Sequence, residues 1–120
     1  MFVFRKYKLT SSNHFYVFKG FMYTVLYQWK IKEDKKDEFI ASWNIVTDHY
    51  VNKHGQIGSR LHEITDNTFA AYAQWESEDK RNKAFALDDV EPEVLSVMES
   101  CIVKTLKPIE MHIVSDKLKA

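Results

Sequence analysis

Alternation and helical spacing divide the chain into a strand, a helix, two strands, helices and a strand. Met22 to Ile31 is a run of strand formers, with Tyr23, Val25, Tyr27, Trp29 and Ile31 on one side and Thr24, Leu26 and Gln28 on the other. Apolar groups on both sides suit a central strand covered twice. From Glu33 to His54, Phe39, Trp43, Val46 and Tyr50 recur at helical spacing, and Ile40, Thr47 and Val51 widen the stripe. Asp34, Asp37 and Glu38 lie in the early turns and Gly55 follows the end, as a helix over this stretch favours. His49 and His54 read as helix-flank and helix-end histidines.

Gly58 to Trp75 reads as a hairpin turning at Asp66-Asn67, two residue types that tolerate positive φ. With that turn, Thr65 faces Thr68, and the pairs behind it are Ile64 with Phe69, His62 with Ala71, Arg60 with Ala73 and Gly58 with Trp75. This register sets Arg60 and His62 on one face opposite small residues, which leaves room above them for a ligand, a helix or a second subunit. Tyr72 and Gln74 then fall on the opposite face. Ser77 suits the N-cap of a helix running to about Leu87, and Asp88-Asp89 breaks it. Pro92 suits the first turn of another helix, whose buried stripe is Leu95, Met98, Cys101 and Ile102. A last strand is expected from Ile109 to Ser115, with Ile109, Met111 and Ile113 on one face and Glu110, His112 and Val114 on the other. Residues 1–21 mix aromatics with lysines without a clear period. They form an extension, as an added strand or an arm on a partner, or Met22 is the start. Residues 117–120 are a short tail.

The order matches an α+β, ferredoxin-like β-α-β-β-α-β domain over residues 22–116, an antiparallel sheet with helices on one face. Its other face would expose large apolar groups, which soluble monomers avoid. A second copy of the sheet is the economical cover, so a homodimer about a two-fold axis, the dimeric α/β barrel, is expected.

Composition narrows the function. The 120 residues suffice for one core. Lys+Arg and Asp+Glu are 17 each, so the chain lacks the basic surface of a general phosphate-backbone binder, and no nucleic acid is expected as partner. The high aromatic share, 14%, points to a large core, a subunit interface or a pocket for a flat ligand. Cys101 is the only cysteine, which excludes an internal disulfide and fits a reducing cytoplasm. No apolar run approaches the ~20 residues that span a bilayer, FVFRKYK makes a poor signal peptide, and no membrane association is expected. No C-x-x-C, H-E-x-x-H or Walker-type pattern occurs, and no metal site is expected.

YTVLYQWKIK, then EFIASW, then GSRLHEITDNTFAAYAQW, then SEDKRNKAF resembles the antibiotic biosynthesis monooxygenase domain of the dimeric α/β-barrel superfamily, over roughly residues 22–116. The resemblance implies oxidation of a small electron-rich aromatic compound, a quinol or an anthrone, with no metal or flavin, because the substrate itself supplies the electrons to oxygen. The protein then deprotonates or orients a phenolic hydroxyl, stabilises the anion and excludes water. His62 is the expected base and Arg60 the expected counter-charge. Gln28, Trp43, Tyr72 and Trp75 are the expected substrate contacts, although the register above divides them between two faces. The haem-degrading branch of the same superfamily is a poorer match. Gln28 stands near its first-strand Asn, Ala84-Phe85 and Val94-Leu95 stand near its Trp and His, and no histidine lies between His62 and His112. The alternative left open is a non-catalytic dimer, binding a small molecule or serving a structural role.

Overall fold

A computed structural model describes residues 22–118 of the chain, so the expectations for residues 1–21 and for the end of the tail lie outside the described residues. Five strands and three helices follow in the order β1 (Tyr23–Ile31), α1 (Lys36–His54), β2 (Gln56–Thr65), β3 (Thr68–Trp75), α2 (Glu78–Leu87), α3 (Pro92–Ser100), β4 (Ile102–Thr105) and β5 (Ile109–His112). One antiparallel sheet has the order β2-β3-β1, and the far edge of β1 is shared by β4 and β5. The α+β plan read from the sequence is the observed one. Among the described residues no helix is long and apolar enough to cross a membrane.

The local signals act where they were expected. Gly55 closes α1 at φ 75°, in the left-handed region that costs glycine least. The Ser77 hydroxyl accepts the Lys80 amide at 3.1 Å and caps α2, and Asp88, at φ 51°, ends it. Asn67 takes φ 61° in the hairpin turn. Three expectations are corrected. The last strand, β5, ends at His112 and not at Ser115, and a further short strand, β4, precedes it; Pro108, which has no N–H to give to the β1 edge, stands in the gap, where the Leu106 amide bonds to the Gln28 carbonyl. Ile102 is the first residue of β4 and not the last of a helical stripe. Val51 is exposed at the edge of the α1 stripe, whereas Ser42 is buried in it.

The core lies between the sheet and the helices. Tyr23, Val25, Tyr27, Trp29 and Ile31 of β1 and Phe69, Ala71, Ala73 and Trp75 of β3 meet Phe39, Trp43, Val46 and Tyr50 of α1, Ala84 and Phe85 of α2, and Leu95 and Met98 of α3. The small Ala71 and Ala73 let large rings from β1 and the helices fill the space above them. Trp29 packs edge-on against Phe39 at 5.3 Å, and Phe39 against Phe69 at 5.4 Å. Rings packed in this way are worth roughly 0.5–1.5 kcal/mol each beyond the area that they bury.

Candidate functional site

The hairpin register differs from the expected one, and the difference moves the polar residues. Thr65 faces Thr68, but Glu63, not Ile64, faces Phe69; the ladder then runs Leu61 with Ala71, His62 with Ala70, Arg60 with Tyr72, Ser59 with Ala73 and Gly58 with Gln74. A bulge at Ile64 takes up one residue, and a one-residue shift turns every following side chain to the other face. The burial of Leu61 accounts for the choice. The expected register would hold Arg60 and His62 under the helices and Leu61 in water, whereas the bulge packs Leu61 on the core and leaves both polar groups exposed. A second irregularity between Gln56 and Gly58 sets Gln56, not Gly58, opposite Trp75.

The corrected register brings together groups that had seemed divided. Arg60, Tyr72, Leu26 and Ile109 form one row across the open face of the sheet. His62, Ala70 and Gln28 form the next row. Strands lie about 4.8 Å apart, so His62 and Gln28 flank a slot roughly 10 Å wide with only the Ala70 methyl at its floor. Trp43 and Trp75 stand on the other side of the sheet, buried among the helices. The four expected substrate contacts therefore do not meet: Gln28 and Tyr72 belong to the open face, Trp43 and Trp75 to the covered one.

The covered face holds a polar cluster that the sequence reading did not single out. Arg81, Ala84 and Phe85 share one face of α2, three and four residues apart, and that face is buried. Arg81 is only 1% exposed. Its Nη2 donates to the Tyr23 hydroxyl at 2.9 Å and its Nε to Asn82 Oδ1 at 2.8 Å. The guanidinium also lies over two rings, 5.3 Å from the centre of Tyr23 and 5.4 Å from that of Phe85. The Tyr23 hydroxyl in turn donates to Glu110 Oε1 at 2.7 Å. Burial pushes the Tyr23 hydroxyl well above the usual phenol range; the Arg81 charge opposes this, and the bond to Glu110 adds to it. Burial likewise raises Tyr27, against the pull of Arg81. Both hydroxyls are therefore neutral at physiological pH and able to donate.

Trp75 extends this cluster. Its ring meets Phe85 edge-on at 6.0 Å and Tyr50 at 6.0 Å, so it stands one ring away from Arg81. Its indole is fully buried, yet among the described residues Nε1 has no hydrogen-bond partner. The carboxamide oxygen of Gln56, paired with Trp75 across the strands, is buried and unpartnered too. A buried donor and a buried acceptor left open on two paired residues are unusual in a folded protein, and each could meet a polar group of a ligand. The sequence signal that pointed here was weak: Arg81 precedes Ala84 and Phe85 by three and four residues on an otherwise polar helix.

The geometry agrees with comparison to known proteins. The family model described as antibiotic biosynthesis monooxygenase matches residues 22–90. The fold is similar to a conserved protein from Methanosarcina mazei Go1, at 16% identity and TM-score 0.64, over 75% of this chain and 90% of that one. It is similar to a dimeric ferredoxin-like protein from an uncultured marine organism, at 13% identity and TM-score 0.65, over 82% and 93%. It is also similar to SnoaB, a cofactor-independent oxygenase from Streptomyces nogalater, at 14% identity and TM-score 0.58, over 81% and 95%. No protein of curated function matches the sequence. The family match covers more than half of the 120 residues, and it agrees with the strand order and with the resemblance carried by the hairpin; the chain belongs to the antibiotic biosynthesis monooxygenase family.

Proposed function

We propose that this chain is a cofactor-independent oxygenase for small electron-rich aromatic compounds, hydroquinones or anthrones, and that it acts as a cytoplasmic homodimer. The observation that carries the site is the open Nε1 of Trp75, a fully buried donor one ring away from a buried guanidinium. In this reading Trp75 Nε1 donates to a substrate oxygen and the Arg81 charge stabilises the phenolate that forms. The substrate proton passes to the Tyr23 oxygen while the Tyr23 proton passes to Glu110, along the bond that already joins them. The aromatic core excludes water from the anion. The anion gives its electrons to dioxygen. With an anthrone, the CH2 carbon loses both hydrogens, one oxygen atom becomes its carbonyl and the other leaves as water.

A second placement of the same reaction is favoured by the corrected register. His62 is then the base and Arg60 the counter-charge, with Gln28 and Tyr72 orienting a flat substrate on the open face beneath the second subunit. The dimer itself is supported by Leu26, Tyr72, Ile109 and Met111, which leave apolar surface on that face, and by the description of one solved relative as dimeric. Oxygen uptake by purified protein with a panel of hydroquinones and anthrones, chelator present, tests the function. The proposal expects uptake matched by quinone or anthraquinone; no uptake across the panel would leave the non-catalytic reading in its place.

A further inference from the structure

We propose that His49, His54 and Asp89 form a site for one divalent transition-metal ion, zinc by its donor chemistry, that pins the end of α1 to the α2–α3 connection. The three residues come from two parts of the chain and converge. Asp89 Oδ1 lies 2.8 Å from His49 Nε2 and 2.9 Å from His54 Nε2, and its Oδ2 lies 2.9 Å from His54 Nε2. All the ligand atoms are within 4.8 Å of one another. Donors held ~2.1 Å from a tetrahedral ion stand about 3.4 Å apart. The carboxylate has to retreat from each ring by about half an ångström, for which Asp89, 43% exposed, has room, and the two Nε2 atoms have to come to about 3.4 Å from each other.

The backbone that carries these side chains is held in place. The His49 and His54 rings are largely buried, tilted against each other at 5.2 Å, and both rest on Tyr50. His54 is the last residue of α1, held by the left-handed turn at Gly55. Asp89 is fixed from both sides, by Asp88 in its left-handed conformation and by the buried Val90. Two imidazoles and a carboxylate are a donor set for zinc and its first-row neighbours, whereas calcium and magnesium take oxygen ligands. Binding turns each ring from an Nε2–H donor into an Nε2 ligand, with the proton on Nδ1. The fourth position opens to solvent on the side of Asp89. The ion ties the two segments and lies outside the proposed reaction, so its effect is on stability.

The test uses the tag-free chain, stripped with chelator and titrated with Zn2+, Co2+ and Mg2+, followed by calorimetry and thermal unfolding. The site predicts one Zn2+ per chain, a rise in Tm with Zn2+ and none with Mg2+, and a tetrahedral Co2+ absorption spectrum. His54→Gln and His49→Gln, with unchanged circular dichroism, each weaken binding at least ~10-fold, since even changes beyond the direct ligands cost that much. Absence of stoichiometric binding would overturn the proposal. So would unchanged affinity in both variants, which would put the ion elsewhere.

Discussion

The two faces of this sheet carry similar residues in opposite surroundings. Under the helices an arginine meets a tyrosine where water is absent: Arg81 bonds to Tyr23, and Tyr23 to Glu110. On the open face Arg60 stands across the strands from Tyr72, and the guanidinium is in water. Charge acts strongly only where solvent does not screen it, so the covered pair perturbs its neighbours and the open pair is free to be covered by something else. On the proposed function, chemistry that turns on stabilising an anion belongs on the first face, and assembly on the second.

The largest effect that separates the faces is on stability. Arg81→Met removes the buried cation that donates to Tyr23 and Asn82, and losing hydrogen bonds to a charged group costs about 1.5–3 kcal/mol. Arg60→Met changes stability by no more than ~0.5 kcal/mol, the usual range for an exposed site. Urea denaturation of the two variants gives both numbers, and equal costs would erase the distinction between the faces.

Assembly comes next. Leu26 lies in the middle of the open face, on the central strand. Leu26→Asp places a charge in the proposed dimer interface and shifts sedimentation from the dimer to the 14.2 kDa chain at micromolar concentration. A variant that sediments as the parent does would remove this face from the interface.

Much of this was legible in the sequence. The α+β order, the caps at Gly55 and Ser77 and the Asn67 turn are local signals, written in a few adjacent residues. The Ile64 bulge was not, because the turn alone fixes a register only if every residue pairs; the choice was made by Leu61, whose burial depends on helices far along the chain. Arg81 was one charge among several on a polar helix, without meaning until Tyr23 arrives from the central strand and Glu110 from β5. The histidines of α1 were hidden by their spacing. Two side chains share a helix face at three or four residues, and His49 and His54 are five apart; they meet because Asp89 comes between them at the helix end.

The smallest expected effect concerns that same junction in metal-free protein. The N–H of His49, with that of His54 beside it, holds the Asp89 carboxyl down from 3.8 to about 2. A folded-state pKa below the unfolded one gives stability that is present above the unfolded value and is lost as pH falls through the folded one. The deficit in Tm of Asp89→Asn is therefore full above about pH 4 and closes towards pH 2. A deficit that stays constant from pH 7 to 2 would detach it from this carboxylate.

The claim that the covered face holds the chemistry is tested most directly by oxygen uptake with the preferred substrate, measured side by side on Trp75→Phe and His62→Ala. Trp75→Phe keeps a ring in the core and removes only the indole and its open N–H; turnover per folded protein should fall at least ~10-fold, the scale of one oriented donor. His62→Ala should leave turnover within about twofold of the parent. A loss of ~100-fold in His62→Ala, the scale of a general base, with Trp75→Phe unchanged, would contradict the account and move the reaction to the open face.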